Sequence, residues 1–175
     1  MDAVRLGGSE AELVAVGHPY ISALFNKYLP VSSDDAVIST AQLAVSESEA
    51  IGSKSTDACH DYLYFQPDFA SIILSENLST DAQQRNLAIT IAVIETGSSD
   101  PQPTPTEAQA SKLLNVVGSK LLKRYPASDI AALYDRRAAA ANHRNACRMM
   151  DALLREVLTL PKMDAAQLLR YLSAQ

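Results

Sequence analysis

Residues 80–97 read TDAQQRNLAITIAVIETG, and whether this run is a strand or a helix decides the class of the whole chain. Ile89, Ile91, Val93 and Ile94 are β-branched, and a short apolar run of this kind suits a buried strand as well as a buried helix. The flanks decide between them. Thr80 and Gln83 have the spacing of a capping box, in which each side chain reaches an otherwise unpaired backbone N–H of the other residue. Gly97 supplies a C-terminal stop. The run therefore predicts a helix of about sixteen residues. Its second half (Leu87, Ile89, Ile91, Val93, Ile94) is apolar nearly all round, which predicts a central, buried helix.

Similar punctuation recurs towards the N-terminus. Ser9 with Glu12 predicts a short helix over 10–16 ended by Gly17, and Pro19 suits the first position of a second helix stopped by Pro30. Ser32 or Ser33 caps a third, with Asp34 and Asp35 at its positive end and a stripe of Val37, Ala41, Ala44, Val45 and Ile51 closed by Gly52. A short aromatic-rich helix over Asp57–Phe65 follows. Phe69, Ile72, Ile73 and Leu74 suggest another, and Asn77–Thr80 a turn.

Towards the C-terminus, the proline-, serine- and threonine-rich stretch 98–106 reads as an exposed connector. Thr104 and Glu107 predict a further capping box, with Pro105 at the first helical position. That helix carries Leu113, Leu114, Val117, Leu121 and Leu122 and stops before Pro126. Ser128 then caps the longest helix, 129–159, on which Leu133, Ala140, Cys147 and Leu154 recur every seven residues. Pro161 ends it, and a last helix bears Met163, Ala166, Leu169 and Leu172. The expected fold is all-α: one domain, a compact helical bundle or orthogonal array of seven to nine helices.

Composition agrees. The 175 residues are 47% hydrophobic and 20% charged, with no Trp and 6 Gly, values of a globular chain rather than a disordered one. Leu87–Ile94 is far short of the ~20 apolar residues that cross a bilayer. Met1–Arg5 lacks the pattern of a secretory signal. The expectation is a soluble cytoplasmic protein with no membrane contact, in which Cys59 and Cys147 are free thiols; one long-range disulfide is the alternative.

Charge is unevenly distributed. Residues 1–110 carry 4 basic and 15 acidic side chains, whereas residues 111–175 carry 11 basic and 5 acidic ones. Such asymmetry has three readings: internal neutralisation, head-to-tail attraction between copies, or binding of a polyanion by the basic part. The basic cluster comprises Lys120, Lys123 and Arg124 at one helix end and Arg136, Arg137, Arg144 and Arg148 on the next helix, with Asn142 and Asn145 as neutral donors. A smooth run, Ala138–Ala141, allows close helix approach.

Signals for chemistry are weaker. His143 and Cys147, four apart on a helix, join Cys59 and His60 in offering the donor types of a zinc site, but the spacing matches no short-loop motif, and a core cysteine with a flanking histidine is the plainer reading. Acids beside Cys59 weaken it as a nucleophile. Glu47 and Glu49 diverge on a helix. There is no phosphate-binding glycine loop, no Gly-x-Ser-x-Gly turn and no His-Glu-x-x-His helix, and no cofactor is implied. The expected function is a helical protein–protein interaction module of adaptor, regulatory or inhibitor-like type. Its partner would be another protein or copies of itself, bound through the basic face of the long helix. The alternative is a nucleic-acid-binding or coat-type assembly subunit.

Overall fold

A computed structural model describes residues 10–64 and 77–175, with side chains described from residue 19 onward within those spans. Nine α-helices and no strand occur among the described residues. They are α1 (Glu10–Tyr28), α2 (Asp34–Gly52), α3 (Thr56–Tyr64), α4 (Thr80–Ser99), α5 (Glu107–Arg124), α6 (Ala127–Ile130), α7 (Arg136–Ala141), α8 (His143–Leu158) and α9 (Lys162–Ser173). Ser9 and residues 69–74, where a cap and a short helix are expected, lie outside the described residues.

The core is built by α2, α5, α8 and α9. Val37 and Ala41, Val117 and Leu121, Met149, Ala152 and Val157, and Ala165, Ala166, Leu168 and Leu169 form one buried cluster. Each helix contributes residues at three- and four-residue spacing, so each buries one stripe and leaves its polar face in water. Ser33 caps α2 as expected, accepting from the Ala36 N–H at 3.3 Å, with Asp34 and Asp35 in the first turn.

The run 80–97 is a helix, but not a central one. In α4 only Val93 and Gly97 are buried, while Leu87 and Ile91 are 53% and 45% exposed. Apolar character on every side is thus met by burial on one side only. α4 lies outside the core, against α1 and α2. Its cap is Ser79, one residue earlier than the capping box predicts, and Gln83 Nε2 donates to the Leu78 carbonyl at 3.2 Å. Gly97 does not end the helix. It is the point where α4 crosses α1, and a Cβ there would sit 2.7 Å from the Tyr28 carbonyl oxygen and 2.8 Å from Tyr28 Cβ.

Three further boundaries differ from expectation. α1 runs unbroken through Gly17 and Pro19; glycine ends a helix only by leaving helical backbone, and Gly17 stays helical. The third capping box is Thr106 with Gln109, not Thr104 with Glu107: Thr106 N–H donates to Gln109 Oε1 at 2.9 Å and Gln109 N–H to Thr106 Oγ1 at 3.4 Å. Thr104 instead helps to fix the connector, its hydroxyl donating to the Pro30 carbonyl at 3.4 Å, while Gln102 N–H donates to the Val31 carbonyl at 2.7 Å.

The largest correction concerns 129–159. This stretch holds the end of α6, a 3-10 turn (Ala131–Leu133), α7 and α8. Ser128 caps nothing; Pro126 occupies the cap position of α6. Asp135 and Asn142 break the helix because their short side chains satisfy backbone donors locally. Asp135 accepts from the Arg137 N–H at 2.8 Å, and Asn142 from the Asn145 N–H at 3.0 Å. The seven-residue stripe is broken with it, and Ala140 is exposed.

Candidate interaction surface

The cations of the expected basic cluster divide into two groups. Lys120 and Arg124, at the C-terminal end of α5, converge on the buried Glu156 of α8; Lys120 Nζ also donates to Thr159 Oγ1 at 2.9 Å. Arg148 donates to Asp129 Oδ2 at 2.6 Å and to Asn145 Oδ1 at 2.9 Å, and lies over the Tyr125 ring. These three therefore hold the C-terminal helices together. The side chains of Lys123, Arg136, Arg137 and Arg144 are exposed and have no hydrogen-bond or ion-pair partner among the described residues.

The acidic and basic parts of the chain meet through other residues. Arg155 pairs with Glu49 of α2, and its Nε donates to Asp151 Oδ2 at 2.8 Å. Lys162 pairs with Asp35 at 2.6 Å. Arg170 is buried in α9; its Nε donates to the Ser32 carbonyl at 2.9 Å and its guanidinium also pairs with Asp34. Internal neutralisation thus operates, but among the described residues it leaves the side chains of Arg136, Arg137 and Arg144 unpaired.

Those arginines sit on a tight corner. Asn142 is at once the last flank of α7 and the cap of α8, so the two helices meet at one residue. Arg136 and Arg137 occupy the first turn of α7, and Arg144 the first turn of α8. Beneath them Ala132, Ala139 and Ala146 form a small buried cluster against the ring of Tyr64. The Tyr64 hydroxyl reaches the Ala132 carbonyl at 3.1 Å and the Ala146 carbonyl at 3.2 Å. The smooth side of the alanine run is in this way partly filled from within the chain. Beside the corner, Tyr134 is 76% exposed.

Tyr64 belongs to α3, which is fastened to α8. Cys59 and Cys147 form a disulfide with Cα atoms 5.9 Å apart, so the expected free thiols are absent and the less favoured alternative holds. The packing of α3 on α8 brings the two cysteines within bonding distance, and both sulfurs lie next to Gly52, at 3.5 and 3.7 Å from where a Cβ there would be, an ordinary contact distance. Next to the disulfide the His60 and His143 rings stack at 3.9 Å, and His60 also stacks on Tyr64 at 5.0 Å. His60 Nδ1 lies 3.0 Å from Asp61 Oδ1, and His143 Nδ1 lies 2.8 Å from Asp57 Oδ1. All four candidate zinc donors are therefore neighbours, but the sulfurs bond each other. Among the described residues no group of three or more His, Cys, Asp or Glu is placed to hold a metal ion.

Glu47 and Glu49 diverge as expected, yet the sequence gives no warning of where Glu47 goes. It is 2% exposed, accepting from the Tyr62 hydroxyl at 2.5 Å and from Asn86 Nδ2 at 3.2 Å. Burial raises its pKa above the ordinary carboxylate value, partly countered by those two hydrogen bonds. Burial and the neighbouring Glu47 charge push the Tyr62 phenol well above its usual value, and burial pushes Tyr64 up to about 12. The network ties α2, α3 and α4 together. Glu47 stands in the sequence among Ser46, Ser48 and Glu49, so nothing there singles it out or names its partners.

No protein-family model matches this sequence, and no curated protein or solved structure matches it either. No helix among the described residues is long and apolar enough to cross a membrane.

Proposed function

We propose that this protein is a helical interaction module that docks the α7–α8 corner, through Arg136, Arg137 and Arg144, against an acidic protein surface. The observation that carries the reading is that all three are exposed and unpaired among the described residues, although carboxylates engage most neighbouring cations. Their position is also electrostatically unfavourable. A cation in the first turn of a helix opposes the helix dipole by roughly 0.3–1 kcal/mol. A carboxylate-rich partner would offset that cost and gain charge-assisted hydrogen bonds from the guanidinium groups. Electrostatic attraction would speed and orient the encounter.

The test is the double reversal Arg137→Glu, Arg144→Glu, assayed by binding of poly-L-glutamate to the full chain. Neither side chain touches the core, so the helical circular dichroism should be unchanged while binding is lost. Undiminished binding by the folded double variant rejects the reading.

A second reading rests on Tyr134, whose exposed ring beside Arg136 and Arg137 would suit stacking of an unpaired base. Binding of mixed-sequence RNA with a steep salt slope, in preference to poly-L-glutamate, would favour it.

A further inference from the structure

Resting on that reading, we infer that the Cys59–Cys147 disulfide is a redox clamp that sets the arginine corner in its binding arrangement. α3 has nine residues, and an isolated helix of that length is marginal in water; its position therefore depends on what it is fastened to. One fastening is covalent, to Cys147 of α8. The others on that side are the His60–His143 stack, the Asp57–His143 pair and the packing of the cluster around Cys59 and Leu63 with Met150. Five residues beyond Cys59 on α3, Tyr64 fills the floor of the corner, packing on Ala132, Ala139 and Ala146 and donating to the Ala132 and Ala146 carbonyls. A continuous set of contacts thus leads from the disulfide through α3 and Tyr64 to the backbone that presents Arg136, Arg137 and Arg144.

The exchange chemistry has a defined direction. Cys59 is fully buried whereas Cys147 is half-buried, so an external dithiol attacks the Cys147 sulfur as its thiolate. The Cys59–Cys147 bond breaks and Cys59 leaves as thiolate, which then takes up a proton. The second thiol of the dithiol then attacks the mixed disulfide, freeing Cys147. The dithiol leaves as a cyclic disulfide, and both protein sulfurs are reduced by the two electrons it has lost.

Hydrogen exchange on the full chain, oxidised and then reduced with dithiothreitol, tests the clamp. Amides of 56–64 and 136–147 should exchange faster on reduction, on the order of tenfold or more, while those of α9 stay protected. Poly-L-glutamate binding should weaken in parallel. The Cys59→Ser, Cys147→Ser double variant should reproduce the reduced pattern without reductant; should it not fold, the reduced native chain gives the same readout. Unchanged protection of 136–147 on reduction overturns the clamp, and so does faster exchange with undiminished binding. Faster exchange with no poly-L-glutamate binding in either redox state upholds the clamp and refutes the binding reading instead.

Discussion

Gly97→Ala and Gly118→Ala are the same chemical change inside two helices, and they should change stability in opposite directions. By helix propensity alone each should stabilise the fold by about 0.8–1.0 kcal/mol, since alanine is the better helix former. Around Gly118 nothing lies within 4 Å of an added Cβ, so the propensity gain should appear nearly whole. At Gly97 the added Cβ would stand 2.7 Å from the Tyr28 carbonyl oxygen and 2.8 Å from Tyr28 Cβ. A carbon–carbon contact settles near 3.5–4.0 Å, so the crossing of α1 and α4 must open by roughly an ångström. Neither neighbour is the far end of a flexible side chain, so the backbones have to move. Overpacking of this kind costs roughly 1–3 kcal/mol; set against the propensity gain, the net loss is roughly 0–2 kcal/mol. The difference between the two variants, from roughly 1 to 3 kcal/mol, is the robust quantity because the intrinsic term cancels. Urea unfolding followed by circular dichroism measures it. Equal stabilisation by both substitutions would refute the close crossing of α1 and α4.

The disulfide closes a loop of 88 residues in sequence separation, and the chain-entropy model assigns such a loop roughly 4–5 kcal/mol; urea unfolding with and without reductant should show a large drop in midpoint, and an unchanged midpoint would count against the bond. Glu47 gives a pH dependence of stability. Its folded pKa is raised by burial, so the stability it contributes is present below its unfolded value and is lost as pH rises through the folded one. Glu47→Gln should remove that decline and be no less stable than the native chain at neutral pH, as read from thermal melts over an acidic-to-neutral series; a variant strongly destabilised at neutral pH would contradict this account of the network.

Local signals in the sequence carried the fold class. Ser33 and Gly52 bound α2 as expected because caps are short-range chemistry, whereas the caps at Thr80 and Thr104 are displaced by one and two residues and Gly17, Gly97 and Ser128 do not act as punctuation; the run 80–97 is nonetheless the helix expected of it. What remained hidden depended on tertiary packing. Burial of α4 was overestimated because an all-round apolar run says how many faces could be buried, not how many are. The long helix was overestimated because Asp135 and Asn142 are as compatible with an exposed helix face as with a cap, and only the backbone they satisfy distinguishes the two. The charge asymmetry could not say which cations already had partners. Arg155, Lys162 and Arg170 link the halves, while Arg136, Arg137 and Arg144 have no such partner among the described residues, and the sequence treats them alike. The disulfide needed the 5.9 Å approach of two cysteines 88 positions apart, which no periodicity reveals.

Arginine-selective labelling with phenylglyoxal, read residue by residue by mass spectrometry with and without poly-L-glutamate, tests the docking corner most directly. Arg136, Arg137 and Arg144 should label readily in the free protein and become protected when the acidic polymer is added, while Arg170 should label poorly in both states. Equal labelling of the three arginines with and without the polymer, or protection confined to other positions, would contradict the account.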